Sequence, residues 1–192
     1  MEVLPLQTPR LLLRDFSPED REAVHVYGSD PEVCQWLDWG PNTESDTVEF
    51  LARVIESQTA HPRSTYALAI TRRGEDRPFG SAALMRPDTG SRQAEIGYCL
   101  ARDAWGQGYA VEAAEALLDL AFGTLKLHRV WATCDPENHG SARVLEKLGM
   151  RREGYLLEHR LRRGEWRDSL LFALLKREWP NRAPGRATLL TA

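Results

Sequence analysis

One short segment, Trp105-Gly106-Gln107-Gly108-Tyr109-Ala110, narrows the choice of fold more than any other. It joins a β-compatible run, Ala94–Ala101, to a stretch, Tyr109–Phe122, that places Ala110, Val111, Ala113, Ala114, Leu117, Leu118 and Ala121 at helical spacing. Two glycines at such a junction let the backbone approach a ligand closely and adopt dihedrals that a Cβ forbids. The first turn of the following helix points N–H groups without intrahelical partners at the same place. That combination suits a phosphate or pyrophosphate. A glycine pair alone also serves in plain tight turns, so the neighbouring residues have to decide.

Three phosphate ligands compete. A Walker loop ends in Gly-Lys-Ser/Thr, whereas Gly108 is followed by Tyr109, which argues against ATP held that way. A dinucleotide fingerprint draws support from Asp135, at the end of the next strand, where an acid could meet a ribose. Its third glycine position falls on Val111, however, and Ala101–Trp105 separates strand from glycines where a dinucleotide turn follows at once. The third candidate is the pyrophosphate of coenzyme A.

The rest of the chain supplies the frame. Arg10–Phe16 reads as a strand, stopped by Ser17-Pro18, an N-cap with proline at the first helical position of a helix running to about Gly28. Asp30-Pro31 and Gly40-Pro41 punctuate an irregular acidic segment holding Trp36 and Trp39. A second helix starts near Thr43 or Ser45 with Val48, Leu51, Ala52 and Ile55 on one face, and His61-Pro62 ends it. Tyr66–Thr71 and Phe79–Met85 suit a hairpin, His128–Cys134 a further strand, and Ser141–Leu148 a short helix stopped by Gly149. Two last strands, Tyr155–Arg162 and Trp166–Lys176, meet at Arg163-Gly164-Glu165. The order β, α, α, β, β, β, α, β, α, β, β predicts a mixed α+β sheet with helices on its faces.

With 192 residues the chain suits one domain, and its formal charge of −3 gives no reason to bind nucleic acid. No apolar run is long enough to span a membrane and no secretory signal is visible. Three widely spaced cysteines, Cys34, Cys99 and Cys134, argue against a disulfide framework or a metal cage, so a reduced cytoplasmic protein is the expectation. The charge is uneven: acids dominate from Met1 to Pro62, while Arg143–Arg182 carries eleven bases against six acids. These are solvated faces, or else faces that meet ligands of opposite charge.

Gly106-Gln107-Gly108-Tyr109-Ala110, preceded by Glu95-Ile96-Gly97-Tyr98 and followed by Asn138, Ser141 and Glu146-Lys147-Leu148-Gly149-Met150, resembles the GNAT superfamily of N-acetyltransferases. Within it the chain is most similar to the Rim-type acetyltransferases of ribosomal-protein N-termini, a branch that the opening Thr8–Arg14 also fits. The resemblance implies a single GNAT-like domain over residues 8–179, and residues 180–192, which mix Pro, Gly, Thr and Ala without periodicity, read as a mobile tail. The sheet of that domain would be mostly antiparallel and seven-stranded, with helices on both faces and a V-shaped splay between the fourth and fifth strands. It further implies acetyl-CoA as cosubstrate with no metal, held by Trp105, Gly106, Gln107, Gly108, Tyr109 and Ala110 at the pyrophosphate, by the backbones of Cys99 and Leu100 at the pantetheine, and by Asn138 near its reactive end. The acceptor, a protein N-terminus or a small amine, would sit by Trp36 and Trp39. Two positions depart from the common pattern: Trp105 opens the loop, and Leu145 stands where the family's acid tyrosine usually lies.

Acetyl transfer needs a neutral amine, a polarised thioester carbonyl and a stabilised thiolate. An α-amino group, with a pKa of about 7.7–8.0, is partly neutral near pH 7, so a modest base suffices. Glu95, beside the expected slot, is the base candidate, acting through water; Glu158 is the second, with His159 on the opposite strand face. Glu95 could instead anchor the sheet or a loop. Ser141 is the candidate for stabilising the thiolate, and it equally suits a helix N-cap. A backbone N–H near Cys99 or Leu100 would meet the oxyanion. Cys99 and Cys134 read as buried structural thiols, His128 as a capping or packing residue, and His25 and His61 sit in unremarkable helical contexts. Leu145 also leaves room for a non-catalytic acyl-CoA-binding module. In the last strand, Leu170, Leu171, Phe172 and Leu174 suit either a core or a homodimer face.

Overall fold

Alternation of apolar residues builds the strands, and the computed structural model, which describes residues 4–87, 90–181 and 188–189, joins them into one sheet. In chain order the strands are β1 (Leu6–Gln7), β2 (Leu11–Asp15), β3 (Thr65–Arg72), β4 (Gly80–Met85), β5 (Gln93–Leu100), β6 (Arg129–Cys134), β7 (Arg151–Arg162), β8 (Glu165–Leu175) and β9 (Thr188–Leu189). The helices are α1 (Arg21–Gly28), α2 (Pro31–Cys34), α3 (Glu44–Gln58), α4 (Tyr109–Asp119) and α5 (His139–Lys147). The spatial order is β7-β8-β6-β5-β4-β3-β2-β1-β9, antiparallel throughout except where β5 runs parallel to β6. Seven strands, β2 to β8, have five residues or more, and two-residue β1 and β9 extend the edge. The expected seven-stranded α+β sheet is therefore present, with a small addition. Thr188–Leu189, in the expected tail, pairs with Leu6–Gln7; residues 182–187 and 190–192 lie outside the described residues.

The period of two in the strands sends alternate residues to two cores. On one face, Leu68 and Ile70 of β3, Ala94, Ile96 and Leu100 of β5, and Val130 and Ala132 of β6 pack with Ala113, Ala114, Leu117 and Leu118 of α4 and Leu145 of α5. On the other, Ala69 and Cys99 pack beneath Phe16, Val24 and Tyr27, Val33 of α2, and Leu51 and Val54 of α3. The helices thus cover both faces. Leu170, Phe172 and Leu174 are buried in the first core, because β8 is an interior strand between β7 and β6.

Local chemistry explains the element ends. Thr43 caps α3 by accepting from the Asp46 N–H while Asp46 accepts from the Thr43 N–H, a reciprocal capping box. The buried face of α3 is Thr47, Leu51 and Val54 rather than the stripe through Val48, which is 46% exposed. His25 of α1 shifts that phase: its Nδ1 lies 3.0 Å from the Thr47 hydroxyl, so a polar pair occupies an inward position. The helix stops at Gln58, before His61-Pro62. Asp30-Pro31 starts the short α2, Asp30 accepting from the Glu32 N–H, where an irregular segment was expected. Among the described residues, no helix is long and apolar enough to cross a membrane.

Candidate active site

The parallel pair β5/β6 is short. Its register covers only Gln93↔Arg129, Ala94↔Val130 and Glu95↔Trp131. Beyond Glu95, β5 continues along β4 to Leu100, while β6 continues along β8 to Cys134. The two strands therefore part after Glu95 and leave a slot lined by the free edge of β5. Backbone groups of successive strand residues point to opposite edges. The Ala101 N–H donates to Phe79 O, on the β4 side, and Ser81 is the partner of Cys99 in the same register. Cys99 accordingly turns its backbone to β4, and Ile96, Tyr98 and Leu100 turn theirs to the slot. Of the two backbones expected to line it, Leu100 faces the slot and Cys99 does not. The Leu100 carbonyl accepts from the Trp105 indole N–H at 2.8 Å, which folds the half-exposed Trp105 back against the strand end.

The glycine loop closes one end of the slot. Gly106 (φ 73°) and Gly108 (φ 81°) are both left-handed, and Gly108 is the N-cap of α4. A Cβ at Gly106 would meet nothing within 4 Å, so the space over the loop is open. The chain's opening segment braces the loop from behind. Glu112, in the first turn of α4, accepts from the Thr8 hydroxyl (2.6 Å), the Arg10 N–H (2.9 Å) and Arg10 Nε (2.6 Å). Arg10 Nη1 donates to the Gln107 carbonyl at 3.0 Å, and its guanidinium lies 4.5 Å from the centre of the Tyr109 ring. This fixes the loop in a shape that turns the positive end of an 11-residue helix toward the open space.

At the junction where β5 and β6 part, Glu95 is largely buried on the face covered by α1–α3. Arg160 of β7 reaches over it: Nη2 donates to Glu95 Oε1 at 2.9 Å and to the Thr133 hydroxyl at 3.2 Å, and Nη1 to Asp38 Oδ2 at 3.1 Å. Burial raises the Glu95 pKa above the usual carboxylate range, and Arg160 opposes that rise without cancelling it. On the opposite face, Asn138 is the N-cap of α5, its Oδ1 accepting from the Ser141 N–H at 3.0 Å. Ser141 is thus inside the helix rather than its cap, and its hydroxyl is left to side-chain partners. The Tyr98 hydroxyl lies 3.0 Å from Ser141 Oγ and 3.3 Å from the Ser141 carbonyl. Leu145, fully buried in the α4/α5 core, points away from any proton-transfer role.

The remaining candidates fall outside this cluster. Glu158 is exposed on β7 at a register shift, with φ 45° and its N–H donating to Asp168, and His159 contacts Ser169. Cys99 and Cys134 are buried thiols whose pKa values burial pushes up to about 12 and about 11. Asp135, the possible ribose acid, is buried under Arg162 (2.9 Å) and Arg167 (3.3 Å), which leaves it no ribose-binding role. The acidic front is partly neutralised by the basic back. Asp38 meets Arg160, the Cys34 and Gly40 carbonyls accept from Arg163, and Arg162 lies over Trp36, while Asp30 and Glu32 pair with Arg102, which lies outside that basic stretch. Tyr98 and Arg160 were not singled out in the sequence. Tyr98 sits inside the quoted Glu95-Ile96-Gly97-Tyr98 run, and Arg160 was one of many arginines in a basic stretch.

Residues 10–151 match the family described as an acetyltransferase (GNAT) domain. The chain is 35% identical over 174 residues to the uncharacterized N-acetyltransferase YnaD of Bacillus subtilis, covering 91% of this chain and 98% of that protein. Among solved structures it is similar to a GNAT-family acetyltransferase from Bacillus anthracis, with 36% identity, a TM-score of 0.81, and coverage of 91% and 100%. It is also similar to Mycobacterium smegmatis RimJ in complex with CoA-disulfide, with 27% identity, a TM-score of 0.79, and coverage of 93% and 89%.

Proposed function

The chain belongs to the GNAT acetyltransferase family, and we propose that it transfers the acetyl group of acetyl-CoA to the α-amino group of a protein N-terminus by direct attack. The observation that carries this reading is the slot itself, with a left-handed glycine loop at one end and a buried carboxylate at the other. Residues Trp105–Ala110 hold the pyrophosphate, through loop N–H groups and the first turn of α4. The slot-facing backbones of Tyr98 and Leu100 hold the pantetheine, and Asn138, whose Oδ1 is engaged in capping, offers its NH₂. Bound acetyl-CoA supplies an activated acetyl thioester. Glu95 takes a proton from the incoming amine through water, and a slot-facing N–H of β5 stabilises the oxyanion.

An α-amino group fits better than a lysine because a carboxylate base has little to do for an amine already partly neutral. Similarity over 91 residues, at 35% identity, to the ribosomal protein uS5-alanine N-acetyltransferase of Escherichia coli supports the same acceptor class. Incubating the purified protein with acetyl-CoA and a library of peptides with free N-termini is expected to release free thiol and add one acetyl group to the α-amine, read by mass spectrometry. Release with small polyamines or amino acids, and none with peptides, would assign the acceptor to small molecules instead.

The loop gives a direct check on the donor side. Gly108→Val puts a β-branched residue at φ 81°, a strain of about 1–3 kcal/mol. The KM for acetyl-CoA is expected to rise on the order of 10- to 100-fold, with the peptide KM little changed. An unchanged acetyl-CoA KM would place the cosubstrate elsewhere.

A further inference from the structure

Arg10, just before β2, meets the glycine loop with one planar fork. Its Nε donates to Glu112 Oε2 at 2.6 Å, in the first turn of α4, and its Nη1 to the Gln107 carbonyl at 3.0 Å. Its Nη2 lies 3.5 Å from where a Cβ on Gly108 would sit. The carbonyl that Arg10 holds belongs to the same peptide group as the Gly108 N–H. In a trans peptide the carbonyl and the N–H point opposite ways, so a carbonyl fixed on Arg10 sends the Gly108 N–H to the side away from it. Gly108, at φ 81°, has no Cβ to resist the alternative, in which this peptide turns over and its oxygen faces that side instead.

Resting on the donor half of the reading above, we propose that Arg10 is a positioning residue for the pyrophosphate: by holding the Gln107 carbonyl it keeps the Gly108 N–H turned toward the anion. A peptide turned the other way would set a carbonyl oxygen against phosphate oxygens, two acceptors with no hydrogen between them. Gln107 is tied from a second direction, its side-chain Nε2 donating to the Asp103 carbonyl at 2.6 Å, so its two neighbours in space fix both its backbone and its side chain. Arg10 also answers a problem of charge. Glu112 places a largely buried carboxylate in the first turn of α4, where it would repel an arriving anion, and Arg10 pairs with it. Lysine would bring the same charge without the fork. One ammonium cannot hold Glu112 and the Gln107 carbonyl in this geometry while lying 4.5 Å from the centre of the Tyr109 ring, as the flat guanidinium does. The task therefore belongs to the shape of the arginine as much as to its charge.

Arg10→Lys keeps the charge and removes the fork, at a side chain 47% exposed, where the fold does not depend on it. The test measures the affinity of the full-length protein for CoA and for dephospho-CoA, which keeps the pyrophosphate and lacks only the ribose phosphate, by titration calorimetry. It also follows the Gly108 amide resonance on adding each, beside steady-state kinetics. Both affinities are expected to weaken about tenfold in Arg10→Lys. The Gly108 amide proton should move downfield on CoA binding in wild type and far less in the variant. The KM for acetyl-CoA should rise about tenfold while kcat stays within about twofold. Arg10→Gln, which also leaves Glu112 without its partner charge, should bind both more weakly still. An unchanged CoA affinity in Arg10→Lys would overturn the proposal, and so would a loss that spares dephospho-CoA, which would put Arg10 on the ribose phosphate. Weakened binding with a lost Gly108 shift, in a protein that acetylates no amine, would keep the role of Arg10 and remove the proposed function. Acetylation with undiminished CoA affinity in Arg10→Lys would do the reverse.

Discussion

Glu95→Gln is expected to lower kcat by about 10²- to 10⁴-fold, the usual range for loss of a general base, with the KM for acetyl-CoA nearly unchanged. Glutamine keeps the volume of the side chain and can still accept from Arg160, so the contact that spans β5 and β7 survives. What disappears is the basic oxygen pair beside the slot. If Glu95 served only as an anchor, the variant would turn over normally. A pH profile sharpens the test. Glu95 works as a base only when ionised, and burial holds its pKa above the usual carboxylate range, so kcat/KM should fall as pH drops through that raised value. Arg160 is the group that restrains the rise. Arg160→Gln should therefore move the acid limb to higher pH; a limb that stays put or moves down would dissociate Glu95 from the profile.

The largest expected loss of stability comes from Asp135→Ala. Its carboxylate is almost wholly buried beneath Arg162, itself only 11% exposed, and Arg167. Removing one member of a buried ion pair leaves the other charge without compensation, at a cost of about 3–5 kcal/mol. For a chain of this length that corresponds to a fall in melting temperature on the order of 10 °C, readable by differential scanning calorimetry. Asp135 also accepts from the Glu137 N–H at 3.0 Å, and its carbonyl from the Asn138 N–H, so it shapes the turn that presents Asn138. Adding Arg162→Met should recover part of the lost stability, since it removes the stranded charge. A melting temperature within a degree of wild type in Asp135→Ala would show that the carboxylate is not paying for the buried arginine.

The parts of the fold that were legible in the sequence are those governed by local rules. Gly106 and Gly108 announce a left-handed loop because few other residues tolerate that backbone, and the strands from Arg10 to Met85 announce themselves by alternation. The helix expected to start near Thr43 or Ser45 does start there, with Thr43 as its cap. The parts that were not legible depend on register and on long-range contact. Whether Cys99 or Leu100 faces the slot follows from which residue of β4 lies opposite, and a single-residue shift would exchange them. The grip of Arg160 on Glu95 joins residues 65 apart, and that of Tyr98 on Ser141 residues 43 apart. No local pattern distinguishes Arg160 from its neighbours in a basic stretch. The α3 face was misjudged for a related reason: Thr47 is polar by type, and it turns inward because His25 of another helix meets it.

The two faces of the sheet draw on different parts of the chain. The donor side is written almost entirely in one continuous run, from Glu95 through the glycine loop to α5, with Thr8 and Arg10 as braces. The side proposed for the acceptor joins segments far apart in the chain, where Trp36–Gly40 meets Arg160, Arg162 and Arg163. Exchanging residues 30–49 together with the β7–β8 turn would thus graft a new amine preference onto an intact acetyl-donor half. Exchanging either segment alone would strand the arginines of one against the carbonyls and carboxylates of the other. On the proposed reading, a change of acceptor is therefore expected to involve both segments together.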